Sequence, residues 1–200
     1  MTIKYNNVFI EDAYTICGNY ENDGPLSKYF DKKYEKDLYF GEKSWEQAEV
    51  HLLKEANTNI LKKNKLKEED IDLLISGDLQ NQIAASNYMA REFNIPFLGI
   101  FEACSTSGEG LAIGSTYIEG GFAQKILVST SSHNMAAEKQ FRNPTEYGTP
   151  KPKTATFTST GGVSILLSNN KSKVKVESST IGKVVDMGTT DVNHMGAVMA

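Results

Sequence analysis

The chain has 200 residues, 40% of them hydrophobic and 23% charged, a composition typical of one compact globular domain with a sizeable core. Its formal net charge is −4, from 21 Lys and Arg against 25 Asp and Glu, which argues against nucleic acid as a partner. Cys17 and Cys104 form no CxxC pair, and no His lies at zinc spacing, so we expect neither a structural metal nor a disulfide framework.

The first elements are a strand and an amphipathic helix. Residues 1–10 lack a basic segment followed by an apolar run, so no signal peptide is expected, and residues 8–18 read as a strand. Ser44 then opens a helix that ends near residues 63–64, with Gln47 placed to complete a capping box at the Ser44 amide. No window reaches the roughly 18 consecutive apolar residues of a membrane span. Any membrane association is therefore expected through a partner.

The middle of the chain alternates strands and helices. This order predicts an α/β fold with a mostly parallel sheet flanked by helices. The expected strands cover residues 71–77, 97–101 and 125–130, and the expected helices cover residues 81–93 and 105–120. Residues 133–154 show little periodicity and predict a long loop. Two further strands are expected at residues 161–167 and 174–185.

Cys104 lies where a predicted strand runs directly into a helix. A thiol there faces the positive end of the helix dipole and free backbone amides, which favour thiolate and can hold a carboxylate. The alternative is a small residue that fills space between sheet and helix. Cys17, within a strand, is interpreted as a core residue.

A Ser-rich turn, from Val128 to Asn134, follows another predicted parallel strand. Ligands of open α/β sheets bind outside the carboxyl ends of such strands. Cys104 and His133 are separated by one helix-plus-strand unit, so both are expected along the same edge. A hydrogen-bonded surface residue is the alternative interpretation of His133.

Arg142 is a candidate fork for a carboxylate, because guanidinium geometry matches two oxygens. An internal salt bridge to Glu138 or Glu146 is the competing interpretation. The sequence contains no P-loop, no dinucleotide-binding GxGxxG after a strand, no GxSxG elbow and no HExxH motif.

Taken together, these features resemble the thiolase superfamily, in which a Cys-bearing turn joins a strand to a long helix rich in small residues. The resemblance is closer still to a non-enzymatic branch, the stage V sporulation protein AD (SpoVAD) family. It covers nearly the whole chain and is carried by ordered blocks at residues 22–26, 76–82, 103–107, 130–134, 141–148 and 191–200.

This resemblance implies a protein that binds dipicolinic acid (pyridine-2,6-dicarboxylate) for uptake into the developing spore, without a cofactor. It implies other SpoVA channel subunits as partners, a homodimer, and peripheral association with the spore inner membrane on the cytosolic or forespore side. The ligand pocket is then expected near the Cys104 turn. The candidate binding residues are Cys104, Ser105, Ser132, His133, Asn134 and Arg142, the contacts of His133 and Arg142 being inferred from charge.

The same resemblance implies a two-part chain. Residues 1–170 correspond to the N-terminal thiolase-like half, and residues 171–200 to the beginning of an incomplete second half. The expectation is a fragment or a broken gene, with one sheet edge and an apolar helix face uncovered. The alternative function is a condensing enzyme acylated on Cys104, but the base and orienting groups of such enzymes come from the second half.

Overall fold

The computed structural model describes residues 1–139 and 158–190. Nine strands and five helices, in addition to short 3-10 turns, form the described part of the chain. The strands are β1 (Thr2–Lys4), β2 (Phe9–Cys17), β3 (Lys32–Lys33), β4 (Leu73–Gly77), β5 (Phe97–Gly99), β6 (Lys125–Ser132), β7 (Gly161–Ser168), β8 (Val174–Lys175) and β9 (Ser178–Thr180). The helices are α1 (Asn19–Asn22), α2 (Trp45–Lys63), α3 (Ala84–Ala90), α4 (Thr106–Glu119) and α5 (Asn134–Ala137).

The main sheet is mixed and has the strand order β3-β2-β7-β6-β4-β5, with β8 paired to β2. Strand β4 is parallel to both β5 and β6, and Ser76 lies opposite Gly99 on one side and Ser129 on the other. Strand β7 runs antiparallel to β6 and β2. Helices flank this sheet, so the predicted α/β class is confirmed; the parallel pairs are β4 with β5, β4 with β6 and, at the far edge, β2 with β3.

Alternate residues of the central strands face opposite layers, as the pleat requires. Leu74, Leu127 and Leu166 pack with residues of α2 and α3, whereas their neighbours Ile75 and Val128 pack with the α4 layer. All five are at most 1% exposed, and each contributes roughly 1.5–3 kcal/mol of burial free energy. The continuous apolar runs of the sequence therefore belong to strands covered on both faces.

Glycines bring α4 close to the sheet. A Cβ at Gly110 would lie 2.6 Å from Val128 Cγ1, and a Cβ at Gly114 would lie 2.9 Å from Leu167 Cδ1. Both distances are shorter than real carbon–carbon contacts. The helix thus reaches this depth only because these positions lack side chains.

The helix expected to open at Ser44 forms as α2, with one difference at its cap. Ser44 Oγ accepts a hydrogen bond from the Gln47 amide at 3.2 Å, so the predicted N-cap is confirmed. Gln47 Oε1, however, accepts from the amide of Lys43 at 3.3 Å rather than from that of Ser44. The prediction that the Gln47 side chain bonds to the Ser44 amide was therefore wrong by one residue.

Three predicted elements are shorter than expected. The helix expected at 81–93 is a 3-10 turn followed by α3, because Gln82 and Ile83 have left-handed backbone angles that interrupt it. Strand β5 ends at Gly99. The strand expected at 174–185 is divided into β8 and β9, which pair with strands of different sheets, β2 and β1.

The expected loop at 133–154 begins with the short helix α5, and residues 140–157 lie outside the described part. The division of the chain at residue 170 stays a prediction. Among residues 1–139 and 158–190, no helix has both the length and the apolar character needed to cross a membrane.

Candidate functional site

The Cys104 turn connects β5 to α4. A 3-10 turn, Ala103–Ser105, directly precedes α4, and Ala103 adopts a left-handed φ of 46°. Thr106 Oγ1 accepts from the amide of Glu102 at 3.1 Å and donates to the carbonyl oxygen of Ala103 at 2.8 Å, while Ser105 Oγ donates to the Glu102 carbonyl at 2.9 Å. These bonds fix the turn, and the Cys104 thiol is exposed. The predicted position of Cys104, between a strand and a helix N-terminus, is confirmed.

Two carboxyl groups accompany this helix terminus. Glu109 lies in the first turn of α4, where a negative charge interacts favourably with the helix dipole. Burial, and then the charge of Glu102, raise the pKa of the Glu109 carboxyl. An anion at Cys104 therefore has acidic groups nearby, so a dicarboxylate requires a cation to be supplied from elsewhere.

The imidazole of His133 has a structural role. Its side chain has no exposed surface, Nε2 donates to the Leu38 carbonyl oxygen at 2.8 Å, and Nδ1 accepts from the Ala136 amide at the start of α5. The ring also meets Phe40 edge-on, with centroids 5.7 Å apart. Burial lowers the pKa of His133, so the neutral ring that these two bonds require is favoured.

Ser132 and Asn134 hold the returning chain against the sheet. Ser132 Oγ donates to the carbonyl oxygen of Ser159 at 2.6 Å. Asn134 donates from its amide to Thr160 Oγ1 at 2.8 Å and from Nδ2 to the carbonyl oxygen of Thr158 at 2.9 Å. Sequence analysis assigned both residues to ligand binding, and that contact stays a prediction. In the structure, their polar groups fasten the segment that leads into β7.

The structure thus brings only part of the predicted set together. Strands β5 and β6 flank β4 in parallel, so Cys104 and His133 follow the same sheet edge, as expected. The thiol is exposed whereas the imidazole is covered by Leu38 and Phe40, so the two do not face solvent side by side. Arg142 lies outside the described residues.

Sequence analysis missed a buried polar cluster at this edge. The Glu49 carboxyl, on α2, is unexposed; its Oε2 accepts from Gln80 Nε2 at 2.9 Å and its Oε1 accepts from Ser131 Oγ at 3.0 Å. Burial, with a further contribution from the charge of Asp78, raises the pKa of Glu49 to about 7. One signal was available, since Glu49 lies three residues before Leu52 on the apolar stripe of α2.

Sequence comparison finds a family that covers the full length of the chain. The profile of "Stage V sporulation protein AD (SpoVAD)" matches residues 1–200. The chain is also 49% identical, over 193 residues, to Stage V sporulation protein AD of Bacillus subtilis (strain 168). That alignment covers 96% of this chain and 57% of the Bacillus protein, so the chain spans little more than half the length of this relative.

Solved structures with a similar fold include two bacterial proteins. OleA of Xanthomonas campestris superposes with a TM-score of 0.53 at 15% identity, covering 83% of this chain and 59% of its own. The 3-oxoacyl-(acyl carrier protein) synthase III, FabH, of Xanthomonas oryzae gives a TM-score of 0.52 at 15% identity, covering 83% and 57%. At this identity the likeness concerns the fold alone, and it confirms the predicted thiolase-like architecture.

Proposed function

This chain belongs to the stage V sporulation protein AD family, and from that premise we propose that it is a non-catalytic component of the spore SpoVA system that binds dipicolinic acid at the Cys104 turn. The observation that carries the non-catalytic part is the burial of His133 with both ring nitrogens hydrogen-bonded. A cysteine nucleophile requires a base within hydrogen-bond reach. His133, which follows the neighbouring strand β6, already uses both ring nitrogens in hydrogen bonds within the fold and is not placed to act as this base.

The other described histidine is also committed elsewhere. His51 lies on α2, where Nδ1 is 3.1 Å from Glu42 Oε1 and Nε2 is 3.1 Å from the Tyr34 hydroxyl. His194 lies outside the described residues. Within residues 1–139 and 158–190, no histidine is therefore free to activate the Cys104 thiol, which favours binding without turnover.

The Cys104 turn suits one end of a planar dicarboxylate. It offers an exposed thiol and the Ser105 hydroxyl at the positive end of a 14-residue helix, and Phe101 nearby in sequence is half-exposed and apolar. Helix N-termini hold carboxylates through backbone amides. Because Glu102 and Glu109 place negative charge there, the second carboxylate needs a cation. Arg142, in a family-matched block, is proposed for that role.

Membership of the family also implies partners and a site of action. The partners are other SpoVA subunits and a second copy of this chain. The site of action is the spore inner membrane, approached from the cytosolic or forespore side through those partners.

Calorimetric titration with dipicolinate tests the binding proposal. Saturable heat is expected. Cys104→Glu, which fills the turn and adds a negative charge, should weaken the affinity at least about tenfold, and Tyr29→Ala, at an exposed residue elsewhere in the chain, should change it little. Isophthalate, which has the same carboxylate spacing without the ring nitrogen, is the matched ligand control. Absence of any heat from dipicolinate would end the binding proposal.

The alternative, a condensing enzyme, is favoured by the exposed thiol at a helix N-terminus and is tested separately. On mixing with acyl-CoA, intact mass spectrometry is expected to show no acyl adduct. Rapid acylation that disappears in Cys104→Ala would establish the enzyme instead.

A further inference from the structure

The turn between β4 and α3 holds two consecutive residues in an unfavourable backbone conformation. Gln82 has a φ of 58° and Ile83 a φ of 49°. Left-handed backbone is uncommon for non-glycine residues and is an outlier for a β-branched one. Such strained conformations persist only where surrounding contacts enforce them, and they concentrate in functional and switching segments. The contacts that enforce this turn are therefore of interest.

Two carboxyl groups hold the turn. Asp78 lies beneath it and accepts from the amides of Gln80 at 2.9 Å and Ser86 at 2.7 Å. Glu49 holds it from the side, through Gln80 Nε2, and is itself bonded to Ser131 on β6. The Glu49 carboxyl thus joins α2, the strained turn and the end of a central strand.

Glu49 differs from its neighbouring carboxyls in its partners. Asp78 has two backbone amides, and Glu46 has an ion pair with Lys139 at 3.1 Å. The hydrogen-bond partners of Glu49 within the described chain are a neutral amide and a neutral hydroxyl, and its side chain is fully buried. The charges of Asp78 and Glu46 add to the burial that raises the pKa of Glu49 to about 7. Burial and these two charges oppose ionisation of Glu49, whereas the hydrogen bonds from Gln80 and Ser131 favour it.

The two partners of Glu49 can serve either protonation state. Gln80 Nε2 can only donate, so Oε2 must be an acceptor in both states. The Ser131 hydroxyl can donate to an ionised Oε1 or accept from a protonated one. A proton on Oε1 therefore breaks neither bond. On ionisation the proton is taken up by solvent, and Gln80, the partner of Glu49, lines the solvent-filled α2–α3 groove.

The turn also contacts the strand that precedes the Cys104 turn. A Cβ at Gly99 would collide with Ile83 Cδ1, so the Ile83 side chain packs directly on the backbone of β5. Strand β5 ends at Gly99, and the amide of Ile100 donates to the Ser76 carbonyl oxygen at 3.0 Å. Movement of the turn would therefore change a packing contact at the base of the segment that carries Cys104.

We propose that Glu49 is a proton-sensitive latch: protonated, it holds the strained 80–83 turn against α2, and ionised, beside Asp78 and Glu46, it releases the turn and its Ile83 contact with β5. The latch requires no ligand, so it stands apart from the proposed function. Only an effect on ligand affinity at Cys104 would rest on that function.

Hydrogen exchange of the amides at residues 80–86 tests the latch at about pH 6 and about pH 8, as protection factors corrected for intrinsic exchange. Protection is expected to fall about tenfold toward the higher pH, following the ionised fraction of Glu49. In Glu49→Gln, which cannot ionise, protection should be equal at both pH values. Glu69→Gln, which removes an exposed carboxyl outside the latch, is the control and should retain the fall.

Should Glu49→Gln fail to fold, Ser131→Ala replaces it. Removal of this hydroxyl takes one hydrogen bond from the carboxylate, so the fall in protection should move to higher pH. Equal protection of the wild-type turn at both pH values would overturn the latch. The same conclusion would follow if protection in Glu49→Gln fell as much as in the wild type, or if the pH of the fall were the same in Ser131→Ala as in the wild type.

Discussion

The imidazole of His133 donates from Nε2 to the carbonyl oxygen of Leu38, 2.8 Å away and 95 residues earlier in the chain. This bond, with the edge-on packing of Phe40, ties the segment before α2 to the end of β6. A residue predicted to contact ligand thus joins two distant parts of the fold. Several consequences of the structure can be measured.

His133→Ala should destabilise the protein by about 1–3 kcal/mol, because it leaves the part-buried Leu38 carbonyl oxygen without its donor and opens a cavity in place of the buried ring. Urea denaturation monitored by circular dichroism would measure this change. Lys36→Ala, at an exposed side chain, is the control and should alter stability by less than about 0.5 kcal/mol. A His133→Ala protein as stable as the wild type would contradict the structural role.

Substitution of Gly110 and Gly108 by alanine should have opposite effects, although both residues lie in α4. Gly110→Ala places a Cβ 2.6 Å from Val128 Cγ1 and should cost about 1–3 kcal/mol through overpacking. Gly108→Ala meets nothing within 4 Å and should stabilise the helix by roughly 0.5–1 kcal/mol. Thermal and urea unfolding of the pair would measure the difference. Equal effects would mean that α4 does not approach the sheet through Gly110.

The stability of the protein should depend on pH through Glu49. Its folded-state pKa of about 7 exceeds the ordinary carboxyl pKa of 4.5, so the folded protein holds this proton more tightly than the unfolded chain does. The contribution of Glu49 to the free energy of unfolding is fully present below about pH 4.5 and is lost as the pH rises through about 7. The loss amounts to at most roughly 3 kcal/mol.

His133 contributes a pH dependence of the opposite sign. Its pKa is lowered in the folded protein, so the unfolded chain binds the proton more tightly, and the free energy of unfolding falls as the pH drops below about 6.5. The measurement is therefore the difference in unfolding free energy between wild type and Glu49→Gln, from which the His133 contribution cancels. Between about pH 5 and about pH 8, the stability of Glu49→Gln should increase relative to that of the wild type. A difference that does not change over this range would exclude ionisation of Glu49.

The two cysteines should differ strongly in thiol reactivity. Cys104 is exposed, whereas Cys17 is 0% exposed and burial, then the charge of Glu21, raise the pKa of its thiol. Because the thiolate is the reactive species, a disulfide reagent such as DTNB should titrate about one thiol in the native protein and two in denaturant. Cys104→Ala should remove the fast reaction and Cys17→Ala should retain it. Rapid native labelling of Cys17 would contradict its burial.

The local elements were largely predictable because their signals are local. The spacing of apolar residues and the Ser44 cap identified α2, and the strand–helix–strand order identified the parallel part of the sheet. The break at Gln82 was not predictable, since the turn that contains it is held in part through Gln80 by Glu49, which lies on another helix far away in sequence. The position of Cys104 was predicted, whereas the environment of His133 was not.

By itself, the sequence determined the family, the α/β class and the place of Cys104 at a helix N-terminus, because ordered motifs, apolar periodicity and strand–helix junctions are properties of contiguous residues. Only the tertiary structure decided which polar groups are exposed. His133 and Asn134 form hydrogen bonds to residues 38, 158 and 160, and Glu49 on α2 is bonded to two other elements, the 80–83 turn and β6. The burial of a side chain and the charges around it depend on neighbours from distant parts of the chain, so a local sequence pattern cannot predict them.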